Sequence, residues 1–239
     1  MNDEKTLFID MDGTIARFYD SPNCLKQMYE KGYFEHLKAY DQMVIAVRQI
    51  ITNTNIRVIF HSAYPQENRY ADKEKLKWLA KMFTEGKYET VMVAIPADKV
   101  KAAEEHLGRK LTKSDFLIDD YTHNLRTWEH GGGSGIKCVN EIQNKADFSS
   151  YNGPRIRPTD NAQFLYNTLT RLILGNDAHP APAMIVTYQN RATPNNTLIK
   201  LRTYGPIEYE NGQISIPDAD NKNIKTYIPT HMLLNIKIE

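Results

Sequence analysis

The sequence predicts an α/β fold built on a parallel sheet. Short apolar runs at residues 7–9, 57–60, 91–95 and 116–120 have the length and composition of buried strands. Segments with the apolar period of a helix lie between them, as at residues 67–83. Strands that alternate with helices are typical of parallel sheets, because parallel neighbours need a crossover connection.

The composition is that of an ordinary globular protein. Hydrophobic residues make up 41% of the 239 residues and charged residues 25%, so one large domain or two smaller ones can form. The net charge of +1 indicates neither a nucleic-acid polymer nor a membrane as partner. We expect no signal peptide and no membrane helix, since no apolar run approaches the ~20 residues that a membrane helix needs.

Two cysteines are present, Cys24 and Cys138, and they lie far apart in the sequence. They predict neither a disulfide framework nor a zinc cluster. A reducing cytoplasm is therefore the expected location.

Two carboxylates follow the first predicted strand. Asp10 and Asp12 come directly after the apolar run, and Gly13 and Thr14 follow them. Asp10 would lie just beyond the carboxyl end of the strand, where open α/β sheets bind their ligands. Carboxylates held close together repel each other unless a cation or a shared proton intervenes. The local chemistry indicates a magnesium site, and the alternative is a turn that happens to be acidic.

The fourth predicted strand also ends in carboxylates. Asp119 and Asp120 close the run at residues 116–120. In a parallel sheet both acidic strand ends face the same crevice. Two solvated acidic turns are therefore a poor explanation of the pattern.

The run of a strand followed by Asp-x-Asp-Gly-Thr at residues 10–14 resembles the signature of the haloacid dehalogenase superfamily. The resemblance covers about residues 6–140. It implies a Rossmann-like core with a parallel five-stranded sheet in the order 3-2-1-4-5. It also implies a small helical cap inserted after strand 1, which would occupy about residues 16–53.

The resemblance further implies a phosphate monoester hydrolase that requires Mg²⁺ and forms an aspartyl-phosphate. Asp10 would be the nucleophile and Asp12 the general acid and base. Ser62, at the end of the second strand, and Lys99, ahead of the fourth strand, would bind phosphoryl oxygens. Lys101 is the alternative to Lys99.

The metal would be held by Asp10, by the backbone carbonyl of Asp12 and by Asp119, with Asp120 supporting or replacing Asp119. Additional candidates for substrate binding are Thr14, Phe18 and His61. For His61, a hydrogen-bonded structural histidine is the alternative.

Residues 118–125, together with Trp128 and the glycines at 131–133, resemble the 5'(3')-deoxyribonucleotidase branch and its bacterial relatives. A nucleotide is therefore the expected small-molecule substrate. The run His61-Ser62-Ala63 departs from the Thr-Ser-Pro of the animal enzymes, which leaves the preference for deoxynucleotides open. The alternatives are a sugar or cofactor phosphate, or a non-catalytic binding or regulatory protein.

The helix predicted at residues 67–83 has lysines on the side opposite its apolar residues, which predicts a solvated basic face. The apolar stripe is formed by Leu76, Leu79, Ala80 and Phe83, and the lysines are Lys73, Lys75, Lys77 and Lys81.

A domain boundary is expected at residues 151–158, where glycine and proline interrupt the periodicity. The phosphatase core would occupy residues 1–150 and a small α+β appendage residues 155–239. Asp160 would cap the helix of the appendage. Strands are predicted at residues 183–188, 198–204 and 233–238, with a hairpin at 211–212. We recognise no family resemblance in this appendage, and it could dock a partner, shape the crevice or allow the chain to oligomerise.

Overall fold

The computed structural model describes residues 4–84, 86–95, 98–140 and 151–175, and beyond them the strands of residues 184–190, 197–203, 208–210, 213–217, 225–229 and 233–238. The chain divides into two compact units, Met1–Ile173 and Leu174–Glu239. Among the described residues, no helix has both the length and the apolar character needed to cross a membrane.

The first unit is organised around one parallel sheet. Its strands are β1 (Thr6–Ile9), β2 (Arg57–Pro65), β3 (Glu89–Ile95), β4 (Asp115–Asp119), β5 (Ser134–Cys138) and β6 (Arg155–Ile156). They are ordered β3-β2-β1-β4-β5-β6, and each neighbouring pair is parallel. The predicted α/β class and the order 3-2-1-4-5 are confirmed, and the short β6 extends the sheet at one edge.

Helices cover both faces of this sheet. They are α2 (Asp41–Asn53), α3 (Ala71–Met82), α4 (Lys99–Leu107), α5 (Thr122–His130) and α6 (Ala162–Leu174), and a single-turn helix, α1 (Cys24–Gln27), lies outside the sheet layers. Leu7 and Ile9 of β1 pack in one buried cluster with α2, α3 and α6. Phe8, between them, packs on the opposite face with α4 and α5. Successive strand side chains point to opposite faces, so one apolar run serves both layers.

The insert after β1 is shorter than the predicted cap of residues 16–53. Helix α2 buries Met43, Val47 and Ile50 completely in the core against the sheet. It is therefore a crossover helix of the fold, because its apolar stripe meets the sheet and not the crevice. The insert itself spans residues 17–40 and is closed at its base by a β-bridge between Ala16 and Ala39.

Helix α6 belongs to the first unit, whereas the boundary predicted at residues 151–158 placed it in the second. Its apolar face, with Leu165, Leu169 and Ile173, is buried in the cluster that covers the sheet. Its cap also differs from the prediction of Asp160. The side chain of Asn161 accepts hydrogen bonds from the backbone N–H of Gln163 (3.0 Å) and of Phe164 (3.4 Å).

The described part of the second unit consists of two antiparallel three-stranded sheets. One has the order β12-β7-β8 and the other β11-β10-β9. The strands are β7 (Met184–Asn190), β8 (Thr197–Thr203), β9 (Glu208–Glu210), β10 (Gln213–Pro217), β11 (Lys225–Pro229) and β12 (Leu233–Ile238). Glu210 pairs with Gln213, as the predicted hairpin requires, although residues 211–212 lie outside the described residues. Strand β11 was not predicted.

Candidate active site

The carboxyl ends of β1 and β4 bring two buried aspartates to one lysine. Lys99 Nζ donates to Asp10 Oδ1 at 2.7 Å and to Asp119 Oδ2 at 2.8 Å. All three side chains are at most 9% exposed. Burial lowers the pKa of Lys99, but the two carboxylates raise it by a larger amount, so the net pKa is raised. The ammonium is therefore charged at any physiological pH.

The start of α4 positions this lysine. Asp98 caps the helix by accepting from the backbone N–H of Val100 at 2.9 Å and of Lys101 at 3.2 Å. Lys99 is the first helical residue and points into the crevice, whereas the side chain of Lys101 is 75% exposed and lies near Glu105. Of the two alternatives, the structure brings Lys99 to the aspartates.

Three carboxylates lie close enough together to share a cation. Asp10, Asp119 and Asp120 are buried, and one oxygen of each lies within 4.8 Å of the others. Burial raises the pKa of Asp119, and it raises the pKa of Asp120 well above its ordinary value, with the charges of neighbouring carboxylates adding to the shift of Asp120. Lys99 lies against Asp10 and Asp119. The charge of buried Lys137, whose Nζ donates to the backbone carbonyl of Asp120, opposes the raised pKa of Asp120, so two ammonium groups face three acidic groups. This excess of hard oxygen ligands fits Mg²⁺.

Hydrogen bonds hold the two aspartates at the end of β4 in place. Asp119 Oδ1 accepts from the backbone N–H of Tyr121 at 2.7 Å, and its Oδ2 accepts from Asn124 Nδ2 at 2.9 Å. Asp120 Oδ2 accepts from Asn140 Nδ2, also at 2.9 Å. Neither asparagine was among the residues predicted for the site. Asn124 lies in the run 118–125 that resembles the deoxyribonucleotidase branch, which was the available signal, whereas Asn140 is a lone amide after a strand and carries no motif.

Gly13 makes room for this arrangement. Its φ of +74° lies in the left-handed region, and a Cβ there would be 2.3 Å from Asp120 Oδ2. Asn140 Nδ2 also donates to the carbonyl of Gly13 at 3.0 Å, so the turn after β1 and the end of β4 are tied together. Gly13 therefore provides both the turn after β1 and the close approach of the two strand ends.

A second lysine reaches the site from α3, and the sequence prediction missed it. Lys75 is fully buried. Its Nζ donates to Asp12 Oδ2 at 2.5 Å, to Ser62 Oγ at 2.9 Å and to the carbonyl of Ala63 at 2.6 Å. The predicted solvated face was wrong at this position. The buried face of α3 contains Ala71, Lys75 and Trp78, whereas Leu76 is 39% exposed.

The structure brings Ser62 and Asp12 together through that lysine. Ser62 is buried at the point where β2 passes the site, and the side chain of Asp12 is 22% exposed. Burial raises the pKa of Asp12, the charge of Lys75 opposes this, and the charge of Asp10 adds to it, with a raised pKa as the net result. Asp12 Oδ1 is buried without a hydrogen-bond partner among the described residues.

His61 does not face this crevice. Its ring packs against those of Phe8 and Trp128 on the opposite side of β2, and its nitrogens lie 3.1 Å from the carbonyl oxygen of Val91 and 2.8 Å from that of Lys99. Burial first, and the charge of Lys99 second, lower its pKa to about 4. The structural role fits this position, and the predicted substrate contact does not.

Two other predicted substrate contacts also lie inside the protein. Thr14 is fully buried, and its Oγ1 has no hydrogen-bond partner among the described residues. Phe18 is 5% exposed and packs against Tyr33 and Phe34 in the aromatic cluster of the insert. Tyr19, also in the insert, lies close to the site carboxylates. Its pKa is raised by burial and then by the charges of the site carboxylates.

Comparisons with known proteins give similarity of structure at low sequence identity. No family model matches the chain, and no curated protein matches it. A D,D-heptose 1,7-bisphosphate phosphatase from Burkholderia thailandensis is 12% identical with a TM-score of 0.48, and the match covers 71% of this chain and 99% of that one. The same enzyme from B. bronchiseptica, complexed with magnesium and phosphate, is 12% identical with a TM-score of 0.49, over 71% and 98%.

A third similar structure is a haloacid dehalogenase-superfamily hydrolase from Ehrlichia chaffeensis. It is 14% identical with a TM-score of 0.45, and the match covers 71% of this chain and 98% of that one. Its superfamily is the one that residues 10–14 resemble, and none of the three structures is described as a nucleotidase. At these identities and scores the likeness says nothing about substrate or metal, which have to be argued from the site itself.

Proposed function

We propose that this protein is a magnesium-dependent phosphate monoester hydrolase of the haloacid dehalogenase type, with a nucleotide as its substrate. The observation that carries the proposal is that two strands far apart in sequence bring their carboxyl ends to one lysine. Asp10 and Asp119 lie more than a hundred residues apart in sequence, yet they share Lys99 and lie with Asp120 in one acidic cluster. Burying several charged groups together in this way reduces the stability of a fold and is typical of catalytic sites.

In this proposal Asp10 attacks phosphorus. A carboxylate oxygen forms the new P–O bond, the alcohol leaves with the electron pair of its own P–O bond, and an aspartyl-phosphate results. Water then attacks the phosphorus of that intermediate, which releases inorganic phosphate and restores Asp10. One difficult displacement becomes two easier ones.

Two groups would bind the oxygens of the transferring phosphoryl group. Lys99 uses two of its three N–H donors on Asp10 and Asp119, so the third remains for a phosphoryl oxygen. Ser62 adds a hydroxyl from β2, where that strand passes the site. Fixed donors in a site of low dielectric stabilise the charge that develops in the transition state.

Asp12 would act as the general acid and base. It protonates the leaving alcohol in the first step and takes a proton from the attacking water in the second. Its raised pKa supports the acid role, because a carboxyl group that titrates nearer neutrality keeps its proton more readily. Its buried and unpartnered Oδ1 supports the same assignment.

The cation would be held by one oxygen each of Asp10, Asp119 and Asp120 and by the backbone carbonyl of Asp12. When bound, Mg²⁺ would neutralise charge on the phosphoryl oxygens and orient the group for in-line displacement. Mg²⁺ is expected here because a cation would compensate the negative charge of the three buried carboxylates.

The nucleotide assignment depends on the resemblance of residues 118–125 and on the insert. Tyr19 lies close enough to the site for the carboxylates to raise its pKa, and Tyr19 and Tyr33 are only partly buried, whereas Phe18 and Phe34 form the buried part of the same aromatic cluster. Aromatic rings beside a phosphoryl site suit a leaving group with a base, since every base has a face that can stack.

The test is turnover of a panel of esters. The purified chain with Mg²⁺ should release phosphate from nucleoside monophosphates faster than from sugar phosphates, and chelation of the metal should stop release. Asp10→Asn should abolish turnover and leave the circular dichroism spectrum unchanged. Equal turnover by Asp10→Asn would reject the nucleophile, faster turnover of sugar phosphates would reject the nucleotide, and no turnover of any ester would reject the hydrolase.

A further inference from the structure

Lys75 is a buried charged group of the site to which the proposed chemistry gives no task. It is one of the largest fully buried side chains of the first unit, and it lies on a helix otherwise rich in exposed lysines. Burial of an ammonium group is unfavourable unless it is paired and hydrogen-bonded. Asp12, Ser62 and the carbonyl of Ala63 satisfy its three N–H donors at 2.5, 2.9 and 2.6 Å.

The direction of these hydrogen bonds restricts what Ser62 can do. An ammonium has no acceptor, so Lys75 donates to Ser62 Oγ and the hydroxyl cannot donate back. The hydroxyl proton must point elsewhere. The same ammonium holds Asp12 Oδ2, which leaves Oδ1 as the carboxylate oxygen without a partner among the described residues.

The insert holds Lys75 in this position. The ring centroid of Phe34 lies 4.5 Å from Lys75 Nζ, which is a cation–π contact. The neighbouring Glu74 accepts from the backbone N–H of Gly32 at 2.6 Å and of Phe34 at 3.3 Å. Two consecutive residues of α3 therefore join the insert on one side and the phosphoryl site on the other.

We infer that Lys75 is a positioning residue of the phosphoryl site, which turns the Ser62 hydroxyl toward the phosphoryl oxygen and fixes Asp12 beside it. The inference rests on the proposed phosphatase function and adds to it a residue from α3. Lys75 has no donor left for the substrate, so it acts through Ser62 and Asp12.

The experiment compares Lys75→Met with Lys77→Met, because Lys77 lies two residues away on the same helix and is 65% exposed. Three quantities are measured with Mg²⁺ present: kcat and KM for a nucleoside monophosphate, and the Kd of inorganic phosphate by calorimetry. Lys75→Met should lower kcat about 100-fold, comparable with the loss of one oxyanion donor. It should also weaken phosphate binding about tenfold, whereas Lys77→Met should change neither quantity.

A double-mutant cycle separates positioning from general support of the fold. If Lys75 acts partly through Ser62, its removal in a Ser62→Ala background should cost clearly less than in the wild type, because the shared interaction is already lost. Full additivity of the two losses would overturn the inference. Lys75→Gln, which keeps an N–H donor, should recover part of kcat and serves in its place if Lys75→Met does not fold.

The phosphate titration keeps this inference distinct from the proposed function. If the wild type turns over no ester but binds inorganic phosphate, and Lys75→Met alone weakens that binding, the hydrolase fails and the positioning role of Lys75 stands. If phosphate binds equally to the wild type and to Lys75→Met, or binds to neither, the inference is overturned.

Discussion

Gly13 shows how much of the site depends on a single missing side chain. We expect Gly13→Ala to lose stability and phosphatase activity together, because its Cβ would overlap the Asp120 carboxylate. Gly108 is the matched control, since its φ is +68° and a Cβ there meets nothing within 4 Å. Gly108→Ala should therefore show only the backbone cost of a left-handed residue, about 1–2 kcal/mol.

Urea unfolding and kcat measure the two effects of these alanine variants. Gly13→Ala should lose more free energy of unfolding than Gly108→Ala and should lose most of its turnover, whereas Gly108→Ala should keep the wild-type kcat. Equal losses at the two positions would mean that the close contact with Asp120 does not matter.

His61 is a second single residue with a large effect, because it makes the stability of the fold depend on pH. Its pKa is about 4 in the folded protein, because of burial first and Lys99 second, against an ordinary value near 6.5. The unfolded chain therefore binds the proton first as the pH falls, and the stability of the fold decreases from about pH 6.5 down to about pH 4. The shift corresponds to about 3 kcal/mol.

The free energy of unfolding at pH 7, 5.5 and 4.5 checks this expectation. His61→Gln should be less stable at pH 7 but should lose less on acidification than the wild type. The exposed His36 is the control, and His36→Gln should follow the wild type. If His61→Gln kept the full pH dependence of the wild type, that dependence would come from other groups.

At the scale of elements, the contact between α3 and the insert carries a prediction. The Glu74 carboxylate accepts two backbone N–H groups from the insert, at Gly32 and Phe34. Glu74→Ala should leave those donors unpaired and loosen the insert locally by about 2 kcal/mol, which corresponds to roughly 30-fold faster amide exchange.

Hydrogen exchange of a peptide that covers residues 28–37 measures this loosening. Lys73→Ala, an exposed change one residue away on α3, should leave exchange in that peptide unaltered. KM should rise in Glu74→Ala if the insert contacts the leaving group. Unchanged exchange would show that Glu74 does not anchor the insert.

Helix α3 also shows where sequence patterns reach their limit. An apolar stripe through Leu76 and Ala80 predicts one face, yet the helix buries the face that carries Glu74, Lys75 and Trp78. Apolar periodicity assumes that a buried residue is apolar, and here two buried residues are charged because their partners lie in the insert and at strand ends. The spacing of Ala71, Lys75 and Trp78 was the available signal, since these residues share a helical face.

At the scale of the whole molecule, the meeting of the acidic strand ends could be predicted from the sequence, whereas the division of the chain into units could not. Asp10 and Asp119 could be brought together from sequence because parallel strands present their carboxyl ends at one edge. The assignments of α2 and α6 failed for a different reason. Each has an apolar stripe that would fit a cap or an appendage equally well, and only the surface it meets decides between them.

Truncation tests that partition. The first unit contains every residue proposed for the site and ends at Ile173. A fragment of residues 1–175 should therefore unfold cooperatively and keep the turnover of the full chain. A fragment of residues 1–150 should not, because it lacks β6 and α6. The buried side chains of Leu165, Leu169 and Ile173 together contribute about 5–9 kcal/mol, which is comparable with the whole stability of a domain.

Thermal unfolding followed by circular dichroism, and phosphate release with Mg²⁺, compare the two fragments with the full chain. Cooperative unfolding of the shorter fragment would mean that α6 only covers a core that is already complete. Failure of the longer fragment would mean that the strands beyond residue 175 stabilise the first unit. Full activity of residues 1–175 would instead separate catalysis from the second unit and leave that unit to be tested for partner binding or self-association.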